Sequence, residues 1–230
     1  MGFTIGSMRD GREVRRGPRH IRPGALTPEV TAVAEYTSLW GWDVLTGTRA
    51  LRSDDGGLRC SCGQRCGAPG EHPARRGPVL PAGTTLAEVA ESWSTVGAGS
   101  TVLLATGIRF DAVEAPTVAA EHAVLRLERL GLRLGPVVRR PDGRAWFVVA
   151  PGTAQLLPSP AAGRGQLRGI GRGGYVLAPP SRVAGAVPVR WLRAPDPENA
   201  TVFPDSRLLI GTLAAAVARC GGTLPRPRGA

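Results

Sequence analysis

The stretch Gly173-Gly-Tyr-Val-Leu-Ala-Pro-Pro-Ser181 decides the fold of this 230-residue chain. Its paired glycines indicate a turn, its apolar centre predicts a strand, and its two prolines limit that strand. A second apolar run at residues 100–105 leads into Gly107 and predicts a buried strand. We therefore expect a domain that is built around a sheet.

Helices are predicted on either side of these strands. Thr27 favours an N-cap and Pro28 a first helical turn, so one helix is expected to run to residue 41. Thr85-Leu-Ala-Glu88 has the pattern of a capping box and starts a second helix that ends near residue 96. Two more helices are predicted at residues 117–132 and 208–220. Four more strands are predicted at residues 42–45, 108–113, 145–149 and 187–191. This order predicts an α/β or α+β domain with a mixed sheet.

The chain divides into one domain and two flanking segments. Residues 27–220 are long enough for a good-sized core and predict a single domain. Residues 1–26 contain six arginines and predict a flexible basic arm, either a solvated tail or a contact to nucleic acid. Residues 46–83 are expected to form a Cys-containing loop, and residues 221–230 a disordered tail.

The net charge of the chain is +11, and arginine supplies all 29 basic residues. A GC-rich genome explains this usage without a functional cause. Because the guanidinium fork binds phosphate in a bidentate manner, the charge also raises the expectation of a polyanionic partner. The longest apolar run, residues 208–218, is shorter than the roughly 20 residues that span a bilayer. With no signal peptide visible, we expect a cytoplasmic protein without a membrane partner.

A candidate metal site is formed by Cys60, Cys62, Cys66 and His72, which follow the spacing C-x-C-x3-C-x5-H. Three thiolates and one imidazole make the closed, tetrahedral ligand set of a structural Zn²⁺ site. The alternative interpretation is a set of free thiols in a flexible loop. Cys220 lies far from this cluster in sequence and is expected on the last helix.

Four segments together resemble the prim-pol family, the N-terminal domain of bifunctional DNA primase/polymerases in the archaeo-eukaryotic primase superfamily. Residues 173–181 are similar to the family's Gly-Gly-Tyr-Val-Val-Ala-Pro-Pro-Ser segment, which is the most specific of the four matches. The Cys-containing loop ends in Ala68-Pro-Gly-Glu-His-Pro73, similar to the family's Pro-Gly-Lys-His-Pro motif. Residues 36–44 and 103–107 resemble the first helix-to-strand passage and the strand before the first catalytic acid.

The resemblance implies a fold, an activity and partners. Family members have a catalytic sheet that resembles the sheet of RNA-recognition modules and packs on an N-terminal α/β lobe. Typical members synthesise and extend primers, using two divalent ions, Mg²⁺ or Mn²⁺, that carboxylates hold. The implied partners are single-stranded or primed DNA, a nucleotide, and replication proteins that act in trans.

The family's catalytic carboxylates are only partly matched. Where the family has two acids two residues apart, this chain has Asp111 and Glu114, which point to opposite faces of a straight strand. Joint binding of a metal would need a bulge, so Asp111 is the better candidate ligand and Glu114 the weaker one. Gln166 stands at the position of the third acid, and the arginines around it work against a bound dication.

Residues that bind a nucleotide or nucleic acid are predicted around the same motifs. Arg144 stands in the segment where the family carries a phosphate-contacting histidine. Arg168, Arg172 and Gly174 belong to a Gly-rich segment whose backbone N–H groups can cradle phosphate, and Tyr175 can stack on a base. The alternative interpretation is a flexible hairpin with solvated arginines and core aromatic residues.

These matches and departures predict a primase/polymerase-like protein that is catalytically degenerate and binds nucleic acid or nucleotide in a replication-related role. One alternative is an active, divergent nucleotidyltransferase that uses Asp111, Glu114 and a further acid such as Glu121 or Asp142. The other is a zinc-knuckle interaction or regulatory module without a nucleic-acid function. Affinity for DNA at low salt separates a binding module from an interaction module.

Overall fold

The computed structural model describes residues 26–53, 56–63, 65–96, 98–158, 166–183 and 187–221. The expected basic arm lies outside these residues except for Leu26, and the expected tail lies outside them except for Gly221. Helices and antiparallel sheets are both present, so the predicted α+β class is confirmed. No helix in the described ranges is long and apolar enough to cross a bilayer.

The described part of the chain contains four α-helices: α1 Pro28–Ala34, α2 Leu86–Trp93, α3 Thr117–Arg129 and α4 Ser206–Gly221. Thr27 caps α1, because its side chain accepts a hydrogen bond from the backbone N–H of Val30. A π-helical turn at Glu35–Leu39 then continues this helix. The predicted capping box is present at α2, where Thr85 and Glu88 each accept a hydrogen bond from the other's backbone N–H.

The strands are short and are β1 Val44–Thr46, β2 Ala50–Arg52, β3 Leu58–Cys60, β4 Val79–Leu80, β5 Val102–Ala105, β6 Asp111–Pro116, β7 Val137–Arg139, β8 Arg144–Val149, β9 Arg168–Ile170, β10 Tyr175–Ala178, β11 Arg182–Val183, β12 Val187–Pro188 and β13 Arg190–Arg193. The two larger sheets have the orders β10-β5-β1-β4 and β13-β7-β8-β6-β9. Tyr175 on β10 lies opposite Ala105 on β5, so the two segments that predicted the sheet are neighbouring strands.

The five-stranded sheet is covered on both faces. Ala112 on β6 belongs to a core shared with the four-stranded sheet, and Val113 belongs to a second core formed with α3 and α4. Because side chains alternate along a strand, Glu114 shares the face of Ala112 and Asp111 shares the face of Val113. The two acids are therefore separated by the sheet itself.

Two expectations about the sheets need correction. The sequence predicts a mixed sheet, but every pairing between the described strands is antiparallel. Hydrophobic periodicity indicates which side of a strand is buried and carries no information about its direction. The expected loop at residues 46–83 contains the hairpin β2–β3 and the strand β4. These strands are two or three residues long and partly exposed, so they show no apolar alternation.

Candidate functional site

A cavity of about 290 Å³ lies between the two larger sheets. Its apolar wall combines β10 with Trp146 and Ile170 from the five-stranded sheet. Trp146 is fixed there, because its indole N–H donates a hydrogen bond to the carbonyl oxygen of Leu177 at 3.0 Å. The charged wall contains Glu71, Glu114, Arg140 and Arg168. Apolar surface with a few convergent polar groups is typical of small-molecule sites.

Glu114 is the buried acid of the charged wall, with 8% of its side chain exposed. Its carboxylate forms ion pairs with Arg144 at 3.3 Å, Arg168 at 3.7 Å and Arg140 at 3.9 Å. The strands position two of these partners, because Arg168 lies opposite Glu114 on β9 and Arg144 begins β8. Such pairing offsets the large desolvation cost of burying an ionised carboxylate.

Arg140 belongs to the same site, and the sequence predictions do not include it. Its Nη2 lies 2.6 Å from Oε2 of Glu71 and 2.7 Å from Oδ2 of Asp142. The only signal for its position is the turn sequence Arg140-Pro-Asp-Gly143 between β7 and β8. Three arginines thus face three carboxylates in one group, which we call the arginine–carboxylate network: Arg140, Arg144, Arg168, Glu71, Glu114 and Asp142.

Asp111 lies outside this network, on the other face of β6. Strand β6 pairs with β8 along its full length without a register shift, so the bulge that would bring the two acids together is absent there. Oδ2 of Asp111 instead accepts a hydrogen bond from the backbone N–H of Ala154 at 2.9 Å. Of the two acids, Glu114 therefore lines the cavity and Asp111 holds a turn, and binding of a catalytic metal by either acid stays a prediction.

The turn that Asp111 holds is the short 3₁₀ helix Thr153–Leu156. It packs closely against β9, where a Cβ atom at Gly169 would lie 2.2 Å from the carbonyl oxygen of Ala154. Glycine at this position is required by the close approach of two backbones rather than by a ligand. Backbone pairing with β6 places β9 and carries Arg168 to the cavity, while Asp111 holds the 3₁₀ helix that packs against β9.

The other predicted binding residues divide into two groups. Gly174 and Tyr175 line the cavity with Arg168, and Arg144 contacts Glu114. Arg172 is exposed and does not line the cavity; its backbone packs against Gly107, where a Cβ atom would lie 2.1 Å from Cα of Arg172. Gln166 is exposed as well. Binding of a nucleotide or nucleic acid stays a prediction for the five residues named for it: Arg144, Arg168, Arg172, Gly174 and Tyr175.

The Cys-containing loop of residues 46–83, called the cysteine loop below, brings its four predicted ligands together. The three Sγ atoms and a ring nitrogen of His72 all lie within 4.8 Å of one another, so this cluster can hold a metal ion such as zinc. Nε2 of His72 lies 3.2 Å from Sγ of Cys60, and Nδ1 lies 3.1 Å from the carbonyl oxygen of Pro73. In the described part of the chain, no other group of three or more His, Cys, Asp or Glu side chains could hold a metal.

Hydrogen bonds in the cluster favour a thiolate at Cys60. Burial raises the pKa of the Cys60 thiol, but hydrogen bonds from the Thr48 side chain and from the backbone at Cys62 and Gly70 lower that pKa to about 6. Cys220 lies elsewhere, on α4 as predicted, with its Sγ 3.7 Å from Nδ1 of His122.

The cysteine loop also forms one wall of the cavity. Glu71 directly precedes the candidate ligand His72 and pairs with Arg140 in the arginine–carboxylate network. Tyr175 lines the cavity, where burial and then the charges of Glu71 and Cys66 raise the pKa of its hydroxyl. The Cys3His cluster and the cavity are therefore adjacent.

The fold and the site define an α+β domain with a charged cavity between two antiparallel sheets and a Cys3His cluster at its edge. The family described as "Bifunctional DNA primase/polymerase, N-terminal" matches residues 33–206. The chain belongs to this prim-pol family, as its four motifs predict. No curated protein and no solved structure matches the chain.

Proposed function

We propose that this prim-pol domain binds a nucleotide or nucleic acid at the arginine–carboxylate network, in a replication-related role, without two-metal polymerisation. The observation that carries the proposal is the environment of Glu114, whose carboxylate pairs with three arginines. A catalytic pair of divalent ions needs several carboxylates that share the metals. Asp111, the nearest acid along β6, is directed to Ala154 on the opposite face.

The charges around Glu114 disfavour a divalent ion there. Two unit charges 4 Å apart interact with about 4 kcal/mol at an effective dielectric constant of about 20. Three guanidinium groups within 3.9 Å of one carboxylate therefore repel a dication more strongly than that carboxylate attracts it. Glu71 and Asp142 bring the network to charge balance, but both are already engaged with Arg140 and are not free to hold a metal.

The same arginines suit a phosphate group. Arg144 and Arg168 converge on one point, and their side chains are 18% and 31% exposed, so they are partly desolvated yet accessible. Guanidinium groups bind phosphate oxygens with paired, charge-assisted hydrogen bonds. Ile170 and Tyr175 line the adjacent apolar wall and can contact a sugar or a base. We expect the phosphate at the network and the base toward β10.

We also infer that the Cys3His cluster holds one structural Zn²⁺. Its four donor atoms lie within 4.8 Å of one another, and the contact of His72 Nδ1 with Pro73 directs Nε2 toward the sulfur atoms. The bound ion would crosslink the loop and fix its shape. Four protein ligands complete a tetrahedral site and leave no position for a substrate.

Primer extension and nucleotide binding, measured on the same protein, test the function. We expect no extension of a primed template with Mg²⁺ or Mn²⁺. We expect a fluorescent deoxynucleoside triphosphate to bind even in EDTA at a concentration that leaves the zinc bound, and Arg168→Gln to weaken this binding at least about tenfold, because it removes one charged partner. Arg172→Gln is the matched control, since it removes the same charge four residues away and outside the cavity.

Three results would contradict this function. Metal-dependent extension that Glu114→Gln abolishes at unchanged thermal stability would show an active polymerase. Absence of binding to both the triphosphate and single-stranded DNA at low salt would favour the interaction module. Equal losses of triphosphate affinity in Arg168→Gln and Arg172→Gln would place the binding surface outside the cavity.

A further inference from the structure

Carboxylates of the protein contact Arg140 at the place where the phosphate of a ligand would be expected. Its Nη2 contacts both Glu71 and Asp142, and its Nη1 lies 3.9 Å from Glu114. Its Nε is buried and has no hydrogen-bond partner among the described residues. The protein's own carboxylates therefore compensate the charge of Arg140, while its Nε–H donates to no acceptor among the described residues.

We propose that Glu71 occupies the place of a ligand phosphate in this cavity, so that a nucleotide binds by displacing Glu71 from Arg140. The inference rests on the proposed function: the contact of Glu71 with Arg140 competes with the binding of the nucleotide. Glu71 lines the cavity, and its 2.6 Å contact with Arg140 is the shortest ion pair of the network. A phosphate group offers the same guanidinium more oxygen atoms and more negative charge than a carboxylate does.

Charge explains why displacement is needed. The three arginines and three carboxylates of the network balance, so the cavity offers no net attraction to an anion while Glu71 is in place. When Glu71 leaves, one positive charge is uncompensated beside the arginines that pair with Glu114. A phosphate restores the balance, and a neutral nucleoside does not.

Asp142, with 44% of its side chain exposed, also contacts Arg140 but does not line the cavity, so Glu71 is the carboxylate that a ligand in the cavity would displace. Its side chain is 28% exposed, compared with 8% for Glu114, so rotation toward solvent rehydrates it at a lower cost. Its backbone is fixed, because its N–H donates to the carbonyl oxygen of Ala68 at 3.1 Å and the next carbonyl, of His72, accepts from Thr48 at 2.8 Å. Displacement therefore needs only a side-chain rotation and leaves the Cys3His cluster in place.

The variant Glu71→Gln tests the proposal with little change in shape. We expect it to bind a fluorescent deoxyadenosine triphosphate about tenfold more tightly than the wild type, equivalent to about 1.4 kcal/mol. Its affinity for unlabelled deoxyadenosine, measured by calorimetry, should not change, because no phosphate competes with Glu71. Glu121→Gln is the matched control, since it breaks the exposed ion pair with Arg139 and leaves the network intact.

A second variant separates competition from a structural effect. In the Arg140→Gln background, Glu71→Gln should produce no further gain in triphosphate affinity, because the cation for which both anions compete is gone. Metal content and thermal stability are measured for every variant, because Glu71 adjoins a candidate ligand.

Each outcome decides between the proposals. An unchanged or lower triphosphate affinity in Glu71→Gln overturns the displacement of Glu71, while binding by the wild type upholds the proposed function. A gain of the same size in Glu121→Gln overturns it as well, since the effect would then follow net charge alone. If neither the wild type nor Glu71→Gln binds the triphosphate, the displacement of Glu71 is overturned, and the proposed function fails as well if single-stranded DNA does not bind at low salt.

Discussion

At the scale of single residues, Asp111 and Glu114 show how the sheet gives two similar acids different tasks. Both are buried on β6, three positions apart. The alternation of the strand directs Glu114 to the arginine–carboxylate network and Asp111 to the turn at Ala154. Substitution of each acid should therefore change a different property of the protein.

Asp111→Ala is expected to lower stability rather than ligand binding. It leaves the buried N–H of Ala154 without its acceptor, which costs about 1–3 kcal/mol. Urea unfolding should show this loss, with Glu121→Ala, on the exposed surface of α3, as the control. Nucleotide affinity below the unfolding transition should stay within about twofold of the wild type. Loss of binding at unchanged stability would instead place Asp111 in the functional site.

At the scale of elements, the capping box of α2 gives a pH-dependent contribution to stability. Hydrogen bonds from the backbone and side chain of Thr85 lower the pKa of Glu88 in the folded protein. The contribution is therefore complete above the ordinary glutamate pKa of about 4.3 and is lost as pH falls through the lower, folded-state value. The melting temperature of the wild type should exceed that of Glu88→Gln at pH 7, and the difference should shrink below about pH 4. A difference that is constant down to pH 3 would contradict this origin.

The metal content of the purified protein directly tests whether the cysteine loop binds zinc. We expect about one Zn²⁺ per purified chain. Cys62→Ser should lose this ion, and Cys220→Ser should keep it, because Cys220 lies on α4 outside the cluster. Since Glu71 adjoins His72, metal loss should also change the triphosphate affinity of the cavity. A wild-type protein without metal after expression in zinc-supplemented medium would refute the site.

At the scale of the whole molecule, the net charge of +11 predicts binding to single-stranded DNA that depends on salt. If Arg144 and Arg168 each neutralise one phosphate, the slope of log K against log salt should be roughly −1.4 from these two contacts. Arg168→Gln should reduce the slope by about 0.7, while Arg172→Gln should leave the contribution of the cavity intact. Fluorescence anisotropy with a labelled oligonucleotide between 50 and 300 mM salt, roughly the range over which such contacts weaken, measures both values. An identical slope in Arg168→Gln and wild type would exclude the cavity from DNA binding.

The sequence by itself determined the family, the α+β class and the Cys3His cluster, because each depends on local order along the chain. Residues 103–107 and 173–181 predicted two strands that lie side by side, and the Thr85–Glu88 pattern predicted a capping box that is present. The cluster of Cys60, Cys62, Cys66 and His72 was predictable because its ligands lie on one short loop. Such features need few long-range contacts.

Only the tertiary structure decided which charges meet. Strands β7 and β9 were not predicted, because they are three residues long and owe their existence to pairing with β8 and β6. The arginine–carboxylate network depends on them: β9 carries Arg168, and Arg140 directly follows β7. Glu71 reaches this network from the cysteine loop, 69 positions before Arg140. Contacts between residues so distant in sequence are set by sheet order and register, which hydrophobic periodicity does not encode.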